Sequence, residues 1–162
     1  MKIKENNYAF IDGQNLNLGI KNLGWKLDYA RFRRYLADKY SINTAYYFIG
    51  YVAGNQPLYS ELQKAGYVLF FKPTIPDGDG NVKGNIDADL VLQAMIDFQN
   101  YNKAIIVTSD GDFYSLVKYL YKNSKLRFVM SPYVKTCSTL LKKEAKERIV
   151  FMDNLQKKLE HK

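Results

Sequence analysis

Five of the chain's sixteen acidic residues are concentrated in three short motifs that lie far apart in the sequence. They are Asp12, Asp87, Asp89, Asp110 and Asp112. Carboxylates that meet in a folded protein raise one another's pKa values unless a cation neutralises them. If the fold brings these acids together, they predict a metal site. Oxygen ligands without thiolate or imidazole suit Mg²⁺ or Mn²⁺ best, and Ca²⁺ less well.

Other groups that could do chemistry are scarce. The single histidine, His161, lies in a polar C-terminal stretch, and the single cysteine is Cys137. This composition excludes a Ser/His/Asp triad, an internal disulfide and a Cys/His zinc site. Any chemistry should therefore be carboxylate chemistry. Because a divalent ion can activate water and polarise a phosphate, hydrolysis of a phosphodiester is the natural reaction.

Two of the acidic motifs follow predicted strands. Tyr8–Asp12 (YAFID) indicates a buried strand that ends on an acid, and Lys103–Thr108 (KAIIVT) indicates another that leads into Asp110 and Asp112. The carboxyl ends of parallel strands meet at one edge of a sheet, and ligands bind there. We therefore expect Asp12, Asp110 and Asp112 to converge.

Three polar residues are expected to support these acids. The hydroxyl groups of Thr108 and Ser109 can hydrogen-bond the acids or a nearby water. Asn15 either supports a water or a scissile phosphate, or only helps to cap the following helix.

The second motif along the chain is the weakest of the three. Asp87 and Asp89 lie at the start of a predicted helix, where the helix dipole favours acids in any case. Residues two apart do not share a helix face, so at most one of them should be a direct ligand. Asp87 is the preferred candidate, and Asp89 is either a supporting residue or an ordinary first-turn acid.

Strands and helices alternate along the chain, which predicts an α/β fold with a mostly parallel sheet of about five strands and helices on both faces. Further strands are expected at Ala45–Val52, Tyr67–Phe71 and Leu126–Met130, with a short one at Ile149–Met152. Asp28 and Asn55 are predicted helix caps. Lys135–Lys146 is expected to form a basic helix.

Length and composition predict one domain over residues 1–162, with a core of about residues 8–152 and a charged tail at 153–162 that forms a frayed helix. No apolar run approaches the roughly 20 residues of a membrane span, so a soluble, cytoplasmic protein without a membrane partner is expected.

The formal charge of +8 suits a polyanionic partner. Candidate phosphate contacts are Lys83, Lys118, Lys122, Lys135, Lys142, Lys143 and Lys146, although each can equally be part of a solvated helix face. Tyr114 and Tyr133 are weaker candidates for stacking on unpaired bases.

The three motifs together, FIDGQN at residues 10–15, KGNID at 83–87 and SDGDF at 109–113, resemble the NYN domain, in the LabA-like branch of the PIN-like nucleases. The resemblance covers about residues 8–131. It implies a three-layer α/β/α, PIN-like fold and ribonuclease activity on RNA. It also implies a pocket for one or two Mg²⁺ or Mn²⁺ ions, with Asn15 at the family's polar position and the acids Asp12, Asp87, Asp110 and Asp112.

Two other functions stay open at this point. The chain could be a non-catalytic RNA-binding or scaffold domain that retains an acidic metal pocket, although the intact acids weigh against this. It could also be a phosphatase with an aspartyl nucleophile, but such enzymes need an Asp-x-Asp at the first strand, and Asp12-Gly13-Gln14 lacks it. A homodimer is one arrangement by which such a chain could form a groove for RNA.

Overall fold

A computed structural model describes the protein over residues 5–51, 53–72, 75–76, 82–83 and 86–162, without the side chains of residues 75, 76, 82 and 83. The strands in this part of the chain are β1 (Asn7–Asp12), β2 (Ile42–Gly50), β3 (Val68–Lys72), β4 (Ile75–Pro76), β5 (Val82–Lys83), β6 (Ala104–Val107), β7 (Leu126–Ser131) and β8 (Ile149–Phe151). The α-helices are α1 (Gly13–Leu23), α2 (Tyr29–Tyr40), α3 (Gln56–Ala65), α4 (Asp87–Ile96), α5 (Tyr114–Lys122), α6 (Thr139–Ala145) and α7 (Gln156–Leu159).

The central sheet has six strands in the order β3-β2-β1-β6-β7-β8. All of its neighbouring strands are parallel. The predicted α/β fold with a mostly parallel sheet is therefore confirmed, and the short strand expected at Ile149–Met152 is β8, at the edge of the sheet. The short strands β4 and β5 form a separate antiparallel pair.

Helices cover both faces of the sheet and give the expected three layers. One buried cluster packs α1, α2, α3 and α7 against one face. A second cluster packs α4, α5 and α6 against the other. Strand β1 is apolar on both sides for this reason, since Phe10 points into the second cluster and Ile11 into the first. Within the described ranges, no helix is long and apolar enough to cross a membrane.

Two of the predicted helix starts need correction. Asp28 caps α2 as expected, because its carboxylate accepts a hydrogen bond from the Arg31 N–H at 3.0 Å. Asn55 precedes α3 but makes no side-chain cap. Its neighbour Pro57 lies in the first turn and has no N–H to donate. The basic helix begins at Thr139 rather than Lys135, since Ser138 caps it.

The expected helix near the C-terminus is present as α7, but the prediction that it is frayed is wrong. Leu159 is fully buried against the core. Its carbonyl accepts a hydrogen bond from Asp28 N at 2.8 Å, and Glu160 forms an antiparallel bridge with Leu27. These contacts fix the end of the chain beside the start of α2.

Candidate functional site

The candidate site lies where the two central strands of the sheet end. Strands β1 and β6 are parallel neighbours, paired as far as Ile11 with Val107. From β1 the chain crosses to β2 on one side, and from β6 it crosses to β7 on the other. This arrangement leaves a crevice beyond the carboxyl ends of the strands, where ligands bind in folds of this kind. Asp12 ends β1, and Asp110 follows β6.

Three carboxylates converge in this crevice. Asp12, Asp87 and Asp110 each place a carboxylate oxygen within 4.8 Å of the other two. They line a cleft of about 310 Å³. Its lining residues are Asp12, Gln14, Asn15, Leu18, Ile86, Asp87, Asp110 and Asp112. The cleft therefore draws on β1, the start of α1, the start of α4 and the turn after β6.

Asp12 is held at the bottom of the cleft by two hydrogen bonds. One oxygen accepts from the Asn15 N–H at 3.2 Å, and the other accepts from the Thr108 hydroxyl at 3.1 Å. The Thr108 oxygen also accepts from the Asp110 N–H at 3.0 Å. Because its proton is committed to Asp12, Thr108 links the two acidic strand ends.

Asp12 and Asp87 are electrostatically strained without a cation. Burial raises the pKa of Asp12 to about 6, and the charges of Asp87 and Asp110 add to this, against the lowering effect of its two hydrogen bonds. Burial, followed by the charges of Asp110 and Asp112, also raises the pKa of Asp87, while Lys72 lowers it. Each group would ionise more readily beside a positive charge.

The structure reverses the ranking of Asp87 and Asp112. Asp87 is half-buried and belongs to the converging three, although its place at a helix start made it the weakest candidate. Asp112 is exposed and lies at the rim of the cleft, outside the group of three. Its N–H donates to an Asp110 oxygen at 2.9 Å, so Asp110 rather than Asp112 caps the turn that follows.

Asn15 is oriented by the backbone. Its side-chain oxygen accepts a hydrogen bond from the Ser109 N–H at 2.8 Å. A backbone N–H can only donate, so the atom that it contacts is the Asn15 oxygen. Asn15 also lines the cleft, and because its oxygen is engaged by the backbone, its NH₂ group is the part of the amide that remains to contact a ligand.

The Ser109 hydroxyl was expected to hydrogen-bond the acids, but it does not. Its hydroxyl pairs with the hydroxyl of Ser131 at 2.8 Å, and both residues are buried. This contact ties the end of β6 to the end of β7. Sequence reasoning missed Ser131, whose only signal is its place at the carboxyl end of a parallel strand.

Gly111 explains why the third motif has a glycine between its acids. A Cβ atom at this position would overlap the Oγ of Ser138 and press on its Cβ. Ser138 caps α6 and donates its backbone N–H to the Ser109 carbonyl at 3.0 Å. The turn that carries Asp110 is therefore packed directly against the start of α6.

The other predicted supporting residue and the predicted basic residues whose side chains the structure describes do not line the cleft with the three acids. Asp89 is exposed and lines a neighbouring groove beside Phe71 and Leu92, outside the cleft. The side chain of Lys83 lies outside the described residues. The other predicted lysines are exposed at Lys118, Lys122, Lys135, Lys142, Lys143 and Lys146.

Of the predicted aromatic contacts, Tyr114 is exposed and Tyr133 is half-buried. Lys72, at the end of β3, is a cation near Asp87 that the sequence analysis did not find. Gln14 and Leu18 also line the cleft and were not predicted.

The donor set fits a hard divalent cation. The groups that converge are carboxylate oxygens, which Mg²⁺ and Mn²⁺ prefer. Burial raises the pKa of Asp12, and the charges of Asp87 and Asp110 raise it further, so a cation bound here would favour its ionised form. The cluster could hold a metal, with Asp12, Asp87 and Asp110 as the candidate ligands.

Comparison with known proteins agrees with this fold. The model of the NYN domain family matches residues 8–153, so the chain belongs to that family, which is part of the PIN-like nuclease superfamily. A similar fold occurs in the crystal structure of a protein of unknown function from Vibrio parahaemolyticus, with a TM-score of 0.80 and 22% identity over 95% of this chain and 98% of that one. No curated protein matches.

Proposed function

We propose that the protein is a metal-dependent ribonuclease that hydrolyses RNA phosphodiester bonds in the acidic cleft. The observation that carries this proposal is the convergence of Asp12, Asp87 and Asp110 within 4.8 Å at the carboxyl ends of β1 and β6. Membership of the NYN family supports nuclease chemistry in general. The order of the three motifs, as seen in the sequence, favours the LabA-like branch.

The residues of the cleft would have different roles in such a reaction. Asp12, Asp87 and Asp110 would hold Mg²⁺ or Mn²⁺, and Asp112 would extend the site at its rim. A divalent ion supplies charge neutralisation at the phosphate and lowers the pKa of water. Thr108 and the Asn15 N–H keep Asp12 in one orientation. The Asn15 oxygen is engaged by the Ser109 N–H, so its NH₂ group would donate to an anionic oxygen of the substrate.

The charge distribution supports a nucleic acid as the substrate. The acids of the cleft are set in a chain of net charge +8, which attracts a polyanion. The charge of Lys72 lowers the pKa of Asp87, and we assign this lysine to a phosphate beside the cleft. Two helices begin next to the Asp110 turn and expose Lys118, Lys142 and Lys143. These lysines suit phosphates farther along the RNA.

Cleavage of a labelled single-stranded RNA with Mn²⁺ tests the proposal. We expect Asp12→Asn and Asp110→Asn to abolish cleavage, since each removes one charge with little change in shape. Asp38→Asn is the matched control, because Asp38 is an exposed acid on α2. Undiminished cleavage by both cleft variants would contradict the assignment. If the wild type binds RNA with a strong salt dependence but never cleaves it, the chain is a binding module instead.

A further inference from the structure

Helix α4 carries apolar residues on two opposite faces. Leu90 and Ala94 are buried against the sheet. On the other side, Ala88, Leu92, Met95 and Ile96 recur at the spacing of a single helix face, and all four are exposed. The exposed fractions of Leu92 and Ile96 are 59% and 61%, and that of Met95 is 37%. We call these four residues the α4 stripe. A helix that is apolar all round is normally buried on all sides.

The neighbouring helices of the same layer have a different outer surface. Helix α5 exposes Lys118 and Lys122, and α6 exposes Lys142 and Lys143. None of the chain's 24 lysines and arginines lies between residues 84 and 102. Helix α4 therefore offers no cation of its own to RNA or another polyanion, and the basic residue that lines the groove beside Leu92 is Lys72 of β3. The chemistry of the α4 stripe is that of a protein interface.

We propose that the α4 stripe is the interface of a homodimer in which a two-fold axis packs α4 of one copy against α4 of the other. Two chains that each carry a charge of +8 repel one another. Helix α4 itself carries no lysine or arginine, so this repulsion is weak where α4 of one copy meets α4 of the other. An apolar stripe is also self-complementary, as a two-fold interface requires.

The apolar area of this surface is comparable to that of a standard interface. Phe71, at the end of the edge strand β3, is 42% exposed and lines one groove with Leu92, so it extends the stripe. Together, these side chains present roughly 400 Å² of apolar surface, which is in the range of functional patches. A standard interface buries roughly 800 Å² per partner, of which a little over half is apolar. The stripe therefore supplies about the apolar area that one partner needs.

The position of α4 connects this interface to the cleft. Asp87, the first residue of α4, is one of the three converging acids. The α4 stripe begins at the next residue, on a face directed away from the sheet. Dimerisation would thus hold the helix that delivers Asp87 from its outer side and leave the cleft open.

Sedimentation equilibrium of the full chain tests the proposal. We expect the wild type to be mainly dimeric at about 50 µM, and Leu92→Lys/Ile96→Lys to raise the dissociation constant at least about 100-fold. Both residues are more than half exposed, so the change opens no cavity in the core. Val134→Lys is the control for added charge at an exposed aliphatic residue and should stay dimeric. A monomeric wild type at about 100 µM, or a dimeric double variant, would overturn the proposal.

A cross-linking arm covers the case in which the double variant fails to fold. Leu92→Cys should be joined into a covalent dimer by a short bismaleimide, because the two copies of residue 92 face one another. The wild-type Cys137 is buried and serves as the background. Equal cross-linking of Val134→Cys, or none at residue 92, would overturn the interface. Oligomeric state and RNA cleavage are separate readouts, so failure of this proposal leaves the ribonuclease proposal untouched, and the reverse also holds.

Discussion

The side-chain oxygen of Asn15 accepts a hydrogen bond from the backbone N–H of Ser109 at a distance of 2.8 Å. This bond joins the first turn of α1 to the residues that follow β6. The two central acidic segments of the cleft are thereby fixed relative to one another.

Asn15→Ala should therefore lower both stability and cleavage while leaving the carboxylates in place. The buried Ser109 N–H loses its partner, at a cost of about 1–3 kcal/mol in the free energy of unfolding. Urea denaturation measures this loss. Gln14→Ala is the control, because Gln14 is an exposed amide of the same cleft without such a bond, and its stability should change by less than about 0.5 kcal/mol. Equal effects of the two substitutions would contradict the role given to Asn15.

The pKa of Asp12 predicts how metal-free stability depends on pH. The group ionises near 3.8 in the unfolded chain and near 6 in the folded protein. Between these values the folded state holds a proton that the unfolded state has lost, so the free energy of unfolding falls as the pH rises through the window. Above pH 6 the ionised Asp12 lowers the free energy of unfolding by the full amount. This cost is roughly 3 kcal/mol at most, at about 1.4 kcal/mol per pH unit.

Asp12→Asn removes this cost. In EDTA we expect the variant to be about 2–3 kcal/mol more stable than the wild type at pH 7, and nearly equal to it at pH 4. Urea denaturation at four pH values between 4 and 7 measures the difference. Added Mn²⁺ should then stabilise the wild type more than the variant, because only the wild type keeps all three acids. A difference that is the same at pH 4 and pH 7 would be inconsistent with a raised pKa.

The placement of Asp87, Asp89 and Asp112 gives an order of activity losses. Asp87→Asn should lower kcat for RNA cleavage by at least about 100-fold, since its carboxylate belongs to the converging three. Asp112→Asn should have a smaller effect, because Asp112 lies at the exposed rim. Asp89→Asn should change the rate by less than about threefold. If Asp89→Asn proved more damaging than Asp87→Asn, the assignment of Asp87 rather than Asp89 to the cleft would be wrong.

The contact between Gly111 and Ser138 predicts a rescue. Gly111→Ala should destabilise the protein by about 1–3 kcal/mol through overpacking, and it should reduce cleavage because the Asp110 turn shifts. Ser138→Gly alone should cost only a few tenths of a kcal/mol, since glycine is tolerated as a helix cap. The double variant should recover most of the stability. Additive losses in this double-mutant cycle would show that the two positions do not interact.

Acids at strand ends were predictable from the sequence, whereas their exact grouping was not. The apolar runs before Asp12 and Asp110 mark the two strands, and the parallel sheet brings their ends together. The place of Asp87 depends on how Leu90 and Ala94 dock α4 on the sheet, which no local pattern encodes. Lys72 ends β3, which lies two strands away from β1 in the sheet. Its effect on Asp87 therefore could not be predicted from the sequence either.

The end of the chain illustrates a second limit of the sequence. Leu159 is one apolar residue among charged ones, so its surroundings predict a solvated tail. Its burial follows from backbone pairing between the chain end and the segment before α2. Such long-range pairing leaves no periodic signal. Strand β8 was also uncertain in the sequence, because three residues are too few for a clear pattern.

Anomalous diffraction from a crystal soaked in Mn²⁺ tests the central claim most directly. We predict a peak in the cleft at about 2.2 Å from carboxylate oxygens of Asp12, Asp87 and Asp110, and its loss in crystals of Asp12→Asn. A wild-type crystal that shows no peak among these three carboxylates at saturating Mn²⁺ would contradict the account.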